Sequence, residues 1–408
     1  MCGFVKLISK SEVFFMIQRM EYLTKLIKWR DHKVIKVVTG VRRCGKSTLL
    51  QLFREYLYGH GVDEDACISI NFENITYEHL KDYHKMYDYI LEHLQENKMN
   101  YIFLDEIQLV PEFEKAVNSL LLKDNVDIYI TGSNAYMLSS ELATLLSGRY
   151  VEINMLPLSF KEYHELVGGD LRGDFARFLR KGGFPYPAVI EDDDIRQDYL
   201  QGIYSTVLLK DIVGRKRVND VELLEAVIKF LFDNIGNIVS TKKIADTLTS
   251  MGRKTTTVTV DSYVRALKDA FILYEVGRYD VKGKQYLQSL EKYYIVDISL
   301  RSLLLGERTM DVGHILENIV YLELQRRGYK VSIGKLGTLE IDFVAQKGDE
   351  KIYYQVAASI LDPVTYEREF APLKKIKDSY PKIVLTMDEY PMGENGINQQ
   401  NIIEWLMK

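Results

Sequence analysis

Cysteine is almost missing from this 408-residue chain, which has three: Cys2, Cys44 and Cys67. They are too few and too unevenly spaced for a disulfide frame or a cysteine zinc site, which leaves free thiols in a reducing compartment. Proline is scarce too, at eight residues against 28 tyrosines, and this excludes Pro-rich linkers and a disordered chain. The seven histidines form no His-Glu-x-x-His pair or other ligand spacing, so no structural metal is expected. No apolar run approaches the length needed to cross a bilayer, and no membrane partner is expected. Positive charge is not in excess either. The formal net charge is −5, so no global field draws the chain onto nucleic acid or anionic lipid. Residues 1–15 are mildly apolar but are interrupted by Lys6, Lys10 and Glu12, a pattern that fails as a signal peptide. They read as an N-terminal extension ahead of a start at Met16 or Met20, and the expected location is the cytoplasm.

What the chain has in quantity is patterned apolar sequence. Hydrophobic residues make up 47% and charged residues 27%, the mix of a globular protein, and the length favours two to four domains. Residues 34–39, 67–71, 101–104, 126–130 and 150–153 read as strands. Leu49, Leu50, Phe53, Tyr56 and Leu57 recur at helical spacing, and 111–122 is another helical stretch. Strands alternating with helices predict βαβ units around a mainly parallel sheet. The run at Tyr101 is apolar without alternation, as a central strand covered on both faces should be.

Gly40-Val41-Arg42-Arg43-Cys44-Gly45-Lys46-Ser47 fits G-x4-G-K-[ST], a pattern that chance supplies about once in a hundred chains of this length. The motif follows a strand and opens an amphipathic helix, which is the arrangement the chemistry requires. Glycines let the loop wrap closely around phosphate, while backbone N–H groups and the positive helix end hold negative charge. Lys46 would reach the β- and γ-phosphates of ATP, and Ser47 would place a hydroxyl on Mg²⁺. Val41, Arg42, Arg43, Cys44 and Thr48 complete the expected cofactor-binding stretch. The competing reading is a tight turn with a surface lysine.

Asp105 and Glu106 follow the apolar strand at 101–104, and a carboxylate pair at the carboxyl end of a central strand sits where open α/β sheets bind ligands. Asp105 would hold Mg²⁺ through water, and Glu106 would orient and deprotonate an attacking water. Thr131-Gly132-Ser133-Asn134 ends the next strand, where Asn134 or Ser133 could bond both phosphate and water; a simple turn is the alternative. Ser147-Gly148-Arg149 precedes the strand at Tyr150. Arg149 there could stabilise charge developing on a transferred phosphoryl group, against the alternative of an ordinary surface arginine.

The order of phosphate loop, Asp-Glu strand, polar-ended strand and arginine before the fifth strand resembles the AAA+ ATPases. VVTGVRRCGKSTLL, YIFLDEIQ, ITGSNAYML and LSGRYVEINMLPLSF resemble more narrowly a prokaryotic set of AAA-type ATP-binding proteins with a C-terminal domain of unknown function. The resemblance runs from about Met16 to near the end of the chain. It implies an ATP-binding domain at 16–156, and it implies that Arg149 acts across a subunit boundary in a homo-oligomer.

Residues 157–219 read as a helical lid or linker, in which the acidic run Glu191-Asp192-Asp193-Asp194 caps or links helices. Within 220–305, helices at 221–234, 241–251 and 256–270 precede strands at 272–279 and 285–295, a winged-helix pattern. Such a unit suggests DNA as a partner. Arg253, Lys254, Arg265 and Lys268 support it, but Asp261 and Asp269 make the face mixed, so an unknown protein partner competes. Residues 306–408 are expected to run helix (314–327), three strands, helix (370–378) and strand (382–386). This order resembles the PD-(D/E)xK nuclease fold. The resemblance puts Glu317 and Asp342 at its acidic positions, but Gln355-Val356-Ala357 stands where an acid, a spacer and a lysine belong, so cleavage is not expected. The expected fold class is therefore α/β and multidomain. An ATPase that moves its winged-helix and C-terminal domains against each other competes with a nucleotide-gated binding module of negligible turnover.

Overall fold

Five short apolar strands build the first sheet: β1 (Ile35–Thr39), β2 (Cys67–Asn71), β3 (Asn100–Asp105), β4 (Val126–Gly132) and β5 (Tyr150–Asn154). All pair in parallel, in the order β2-β3-β4-β1-β5. Every residue of β1, β3 and β4 is buried, because helices cover both faces of the sheet centre. The computed structural model describes residues 17–133, 146, 148–207, 212–214, 218, 220–283, 285–306 and 312–408. Asn134 and the segment 1–15 lie outside the described residues.

Helix α1 (Met20–Trp29) precedes the sheet, and α2 (Lys46–Gly59), α3 (Tyr83–His93) and α4 (Phe113–Leu120) connect its strands. Leu49, Leu50, Phe53 and Leu57 form the buried stripe of α2, at the i, i+3, i+4 spacing of a helix that covers a sheet. The Asp82 side chain caps α3 by accepting from His84 N and Lys85 N. Lys36, fully buried on β1, pairs with Asp127 on β4 and donates to the His32 carbonyl at 2.7 Å, so its charge is answered inside the sheet.

Among the described residues, the helices α5 (Phe160–Val167), α6 (Leu171–Lys181), α7 (Pro185–Val189) and α8 (Asp193–Thr206) follow. Ser159 and Glu162 close a capping box on α5. Asp192 caps α8 through Asp194 N and Ile195 N, so part of the acidic run at 191–194 serves as a helix start.

The rest of the chain runs α9 (Val221–Asp233), β6 (Ile238–Val239), α10 (Thr241–Ser250), α11 (Thr257–Asp269), β7 (Leu273–Asp280), β8 (Gln285–Ile295) and α12 (Ile298–Leu305). It continues with α13 (Val312–Arg326), β9 (Lys330–Leu336), β10 (Leu339–Lys347), β11 (Glu350–Val356), α14 (Pro363–Lys374), β12 (Lys382–Thr386), β13 (Ile397–Asn401) and α15 (Ile402–Met407). These strands make one mixed eight-stranded sheet in the order β13-β12-β11-β10-β9-β7-β8-β6. The sheet is continuous because β7 pairs in parallel with β9, Arg278 facing Ile333 and Asp280 facing Lys335. The molecule is thus α/β and multidomain, with a parallel five-stranded sheet and a second, mixed one. A single apolar cluster reaches from Tyr22 and Phe53 through Phe232 and Tyr294 to Trp405, so the two sheets share a core.

Two of the differences from the sequence reading have a plain local cause. Helix α14 begins at Pro363, not at 370, because Asp362 caps it on Thr365 N and Pro363 suits the first helical turn. Strand β13, Ile-Asn-Gln-Gln-Asn, went unread because a mostly polar edge strand carries no apolar run. Among the described residues no helix is long and apolar enough to cross a membrane.

Candidate active site

The loop between β1 and α2 is shaped by its glycines. Gly40 has φ +143°, and a Cβ there would lie 2.1 Å from the Met155 carbonyl oxygen, so a side chain is excluded. Gly45, at φ +104°, turns the chain into α2 and leaves the helix start without a side-chain cap. The first-turn N–H groups of α2 therefore stay available to an anion. Arg42 lies 3.4 Å from Glu73, and the Cys44 thiol is fully buried, which pushes its pKa up and makes it a packing group. Ser47 and Thr48 are exposed at the helix start.

Lys46 is buried (4% exposed), and its ammonium donates to the carbonyls of Gly40 (3.0 Å) and Val41 (3.2 Å). Both hydrogen-bond partners are neutral carbonyls, which hold the ammonium in place. Its Nζ lies 4.0 Å from Glu106 Oε1.

Asp105 and Glu106 end β3 beside this loop. β4 separates β3 from β1 in the sheet, and Thr131 on β4 organises both acids. Its hydroxyl donates to Asp105 Oδ1 at 2.5 Å and accepts from Glu106 N at 2.9 Å. Asn71 donates to Asp105 Oδ2 at 2.9 Å. Glu106 adopts left-handed backbone (φ +56°), an uncommon conformation for a side-chain-bearing residue. Its Oε2 accepts from Ser133 Oγ at 3.0 Å and from the Gln108 side-chain amide, while Oε1 faces Lys46. The arrangement brings together an ammonium hydrogen-bonded to carbonyls, an open helix start and two buried carboxylates of which Glu106 is aimed by neutral donors.

The structure thus gathers Gly40 to Ser47, Asp105, Glu106 and Ser133. Arg149 stands elsewhere. It is exposed, and its carbonyl accepts from Ile35 N at 2.9 Å, at the amino end of β1. The phosphate loop is at the other end of that strand, about 13 Å away at the usual rise per residue. Sequence reasoning missed Thr131, Gln108, Asn71 and Arg19. Thr131 had a signal, since it sits in the polar strand end already singled out; Gln108 and Asn71 had none. Arg19 precedes the expected strands, yet it is buried and braces the loop from behind. Its guanidinium donates to Cys44 O (3.2 Å) and Leu156 O (2.6 Å) and pairs with Glu162 at 3.0 Å. A cleft of about 890 Å³ adjoins Arg19, Glu162, Glu323 and Arg326, behind the loop and away from its mouth.

Comparison with known proteins agrees with this geometry. A family model described as an AAA domain matches residues 32–164, and one described as a domain of unknown function matches 172–311. An uncharacterized protein of Haemophilus influenzae is 42% identical over 400 residues, covering 96% of this chain and 99% of the relative. An uncharacterized protein of Methanocaldococcus jannaschii is 30% identical over 367 residues, covering 84% and 79%. Among solved structures, a Walker-type ATPase of Pyrococcus abyssi superposes with a TM-score of 0.50 at 16% identity, over 73% of this chain and 99% of that one. At that identity the likeness is one of fold.

Proposed function

The chain belongs to the family of AAA-domain proteins that its Haemophilus and Methanocaldococcus relatives represent, and on that premise we propose that it binds Mg-ATP and hydrolyses it to ADP and phosphate. The observation that carries this reading is the meeting of Lys46 with Glu106. An ammonium hydrogen-bonded to carbonyls, with its nearest carboxylate 4.0 Å away, suits a β/γ-phosphate, and a carboxylate aimed by Ser133 and Gln108 suits a water beside it. Ser47 and Asp105 fit Mg²⁺: the hydroxyl is exposed at the helix start, and each Asp105 oxygen has one further lone pair beyond its bond to Thr131 or Asn71. The ion would supply neutralising charge on the phosphates. A chain that merely held nucleotide would have no use for a buried, aimed glutamate. The test is steady-state phosphate release by the purified chain: tight ATP binding without turnover would favour the nucleotide-gated binding module.

Residues 16–156 are the ATP-binding domain in this proposal, with 157–219 as its helical lid, 220–305 as a winged-helix unit and 306–408 as a C-terminal nuclease-like unit without cleavage. Because β7 and β9 share a sheet, the last two units would move as one body against the first. The winged-helix surface favours a protein over DNA as partner, since Arg253 pairs with Glu222 and Lys268 with Glu275. Arg149 would serve a neighbouring subunit, being at the wrong end of its own strand to serve its own loop. The rate per chain should then rise with protein concentration, and mixing Arg149→Ala with Lys46→Ala should restore activity. A flat rate and no restoration would remove this role. The scarcity of cysteine fits a cytoplasmic protein.

A further inference from the structure

Another buried lysine, Lys292, lies far from the phosphate loop in sequence and in setting. Glu317 on α13 and Asp342 on β10 are the acidic positions that a metal-dependent nuclease would use, and Glu340 precedes Asp342 by two on the same strand. The β9–β10 register shifts between Ile341 and Val344, and this irregularity falls on Asp342. Lys292 enters the centre from β8. Strand alternation puts Lys292 and Tyr294 on one face, and both reach Glu317 Oε1, at 2.9 and 2.6 Å. Lys292 Nζ is also 2.8 Å from Glu340 Oε1 and 4.0 Å from Asp342 Oδ1, and the residue is 4% exposed.

The residues present do not fit a divalent ion. The oxygens that would face it already face the ammonium. Asp342 Oδ2 accepts from Val356 N at 2.9 Å. Gln355, where a second carboxylate would stand, accepts from Asp342 N at 2.7 Å and donates to Glu369 at 2.8 Å. On the far side, Glu317 Oε2 and His314 Nδ1 come so near Gly236 that a Cβ there would lie 3.0 Å from each. The Glu317, Asp342 and Glu340 charges hold Lys292 protonated against its burial.

We infer that the ammonium of Lys292 is the resident cation of this centre, closing it to divalent metals and fastening the β7–β8 hairpin to helix α13 and strand β10. The fastening is reinforced one residue along, where the Asn318 side chain accepts from Ile295 N (2.8 Å) and donates to Ile295 O (2.9 Å). The lysine that the local sequence lacks at Ala357 is thus supplied from a strand sixty-five positions earlier, in a different role.

The inference holds whether or not the chain turns over ATP. Its test uses the full chain without nucleotide, titrated with MnCl₂ by calorimetry and melted with and without the ion. Wild type and Lys292→Arg should show no Mn²⁺ uptake that Asp342→Asn removes. Lys292→Met should melt several degrees lower, recover on adding Mn²⁺, and bind Mn²⁺ at least tenfold more tightly than wild type. Lys292→Met/Asp342→Asn should lose that binding. Lys292→Gln keeps the side chain's length and a donor, and provides a second reading if the methionine variant folds poorly. Asp342-dependent Mn²⁺ binding by wild type would overturn the inference. So would a folded Lys292→Met or Lys292→Gln chain that gains no affinity, or variants that stay unfolded with Mn²⁺ present, because a divalent ion could then not take the ammonium's place.

Discussion

Lys46 and Lys292 are equally hidden, each 4% exposed, yet they are opposites in what they can do. Lys46 is held by two carbonyls, and the nearest carboxylate on Glu106 is 4.0 Å away. Lys292 is held by two carboxylates at 2.8 and 2.9 Å, with a third at 4.0 Å. Burying a charge costs several kcal/mol per ion unless it is compensated, and the choice of compensation decides what is left over. Dipoles steady a charge and leave it able to attract a phosphate; carboxylates consume it. Burial alone therefore does not identify a working lysine, but its partners do.

Replacing each group should separate the two sites. The largest effect is expected from Lys46→Ala, which should weaken ATP binding about a thousandfold with little change in melting temperature, measured by nucleotide titration. Equal affinity in that variant would break the comparison at its functional end. Lys292→Met should do the reverse, costing about 3 kcal/mol of stability in denaturant unfolding while ATP affinity stays at the parent value. Glu106→Gln should keep affinity and lower kcat about a hundredfold in phosphate release, since only water activation is removed. The smallest effect concerns Asp297, an acid buried against backbone N–H groups of Gly183 (2.6 Å) and Ser299 (2.8 Å). Burial raises its pKa to about 6 from an ordinary 3.8. The folded carboxyl holds its proton more tightly than the unfolded one, so its contribution is full below about pH 4 and lost as pH rises through 6. The slope is at most about 1.4 kcal/mol per pH unit, and Asp297→Asn should flatten it in melts taken from pH 4 to 7.

Much of the first half was legible because its chemistry is local. The strand read at 34–39 is β1, and the loop that follows it carries its own instructions in glycine, lysine and serine. Asp105 and Glu106 were legible because their apolar strand follows the phosphate loop in the same sheet; alone, an apolar strand ending in acids is a weak signal. What binds them was not: Thr131 touches both acids from 25 residues away, and Arg19 braces the loop from 25 residues before it. Lys292 was illegible for the same reason. Its neighbours in sequence, Glu291 and Tyr293, give no hint of Glu317, and only the pairing of β7 with β9 brings β8 to that helix. Helix α14 was misplaced because apolar spacing marked Phe370 while the capping Asp362 went unread. Local rules found what a short segment can specify, and tertiary pairing decided the rest.

The shared sheet also bears on ancestry. If the chain were cut between Gly306 and Val312, the first piece would expose the open backbone edge of β7 at Arg278–Asp280, and the second would expose the matching edge of β9. Bare strand edges seek other strands, so neither piece would be a safe protein on its own. Two parts that look like separable modules in sequence are therefore inherited as one. Shuffling either into another protein would require a new strand to cover the edge it leaves behind.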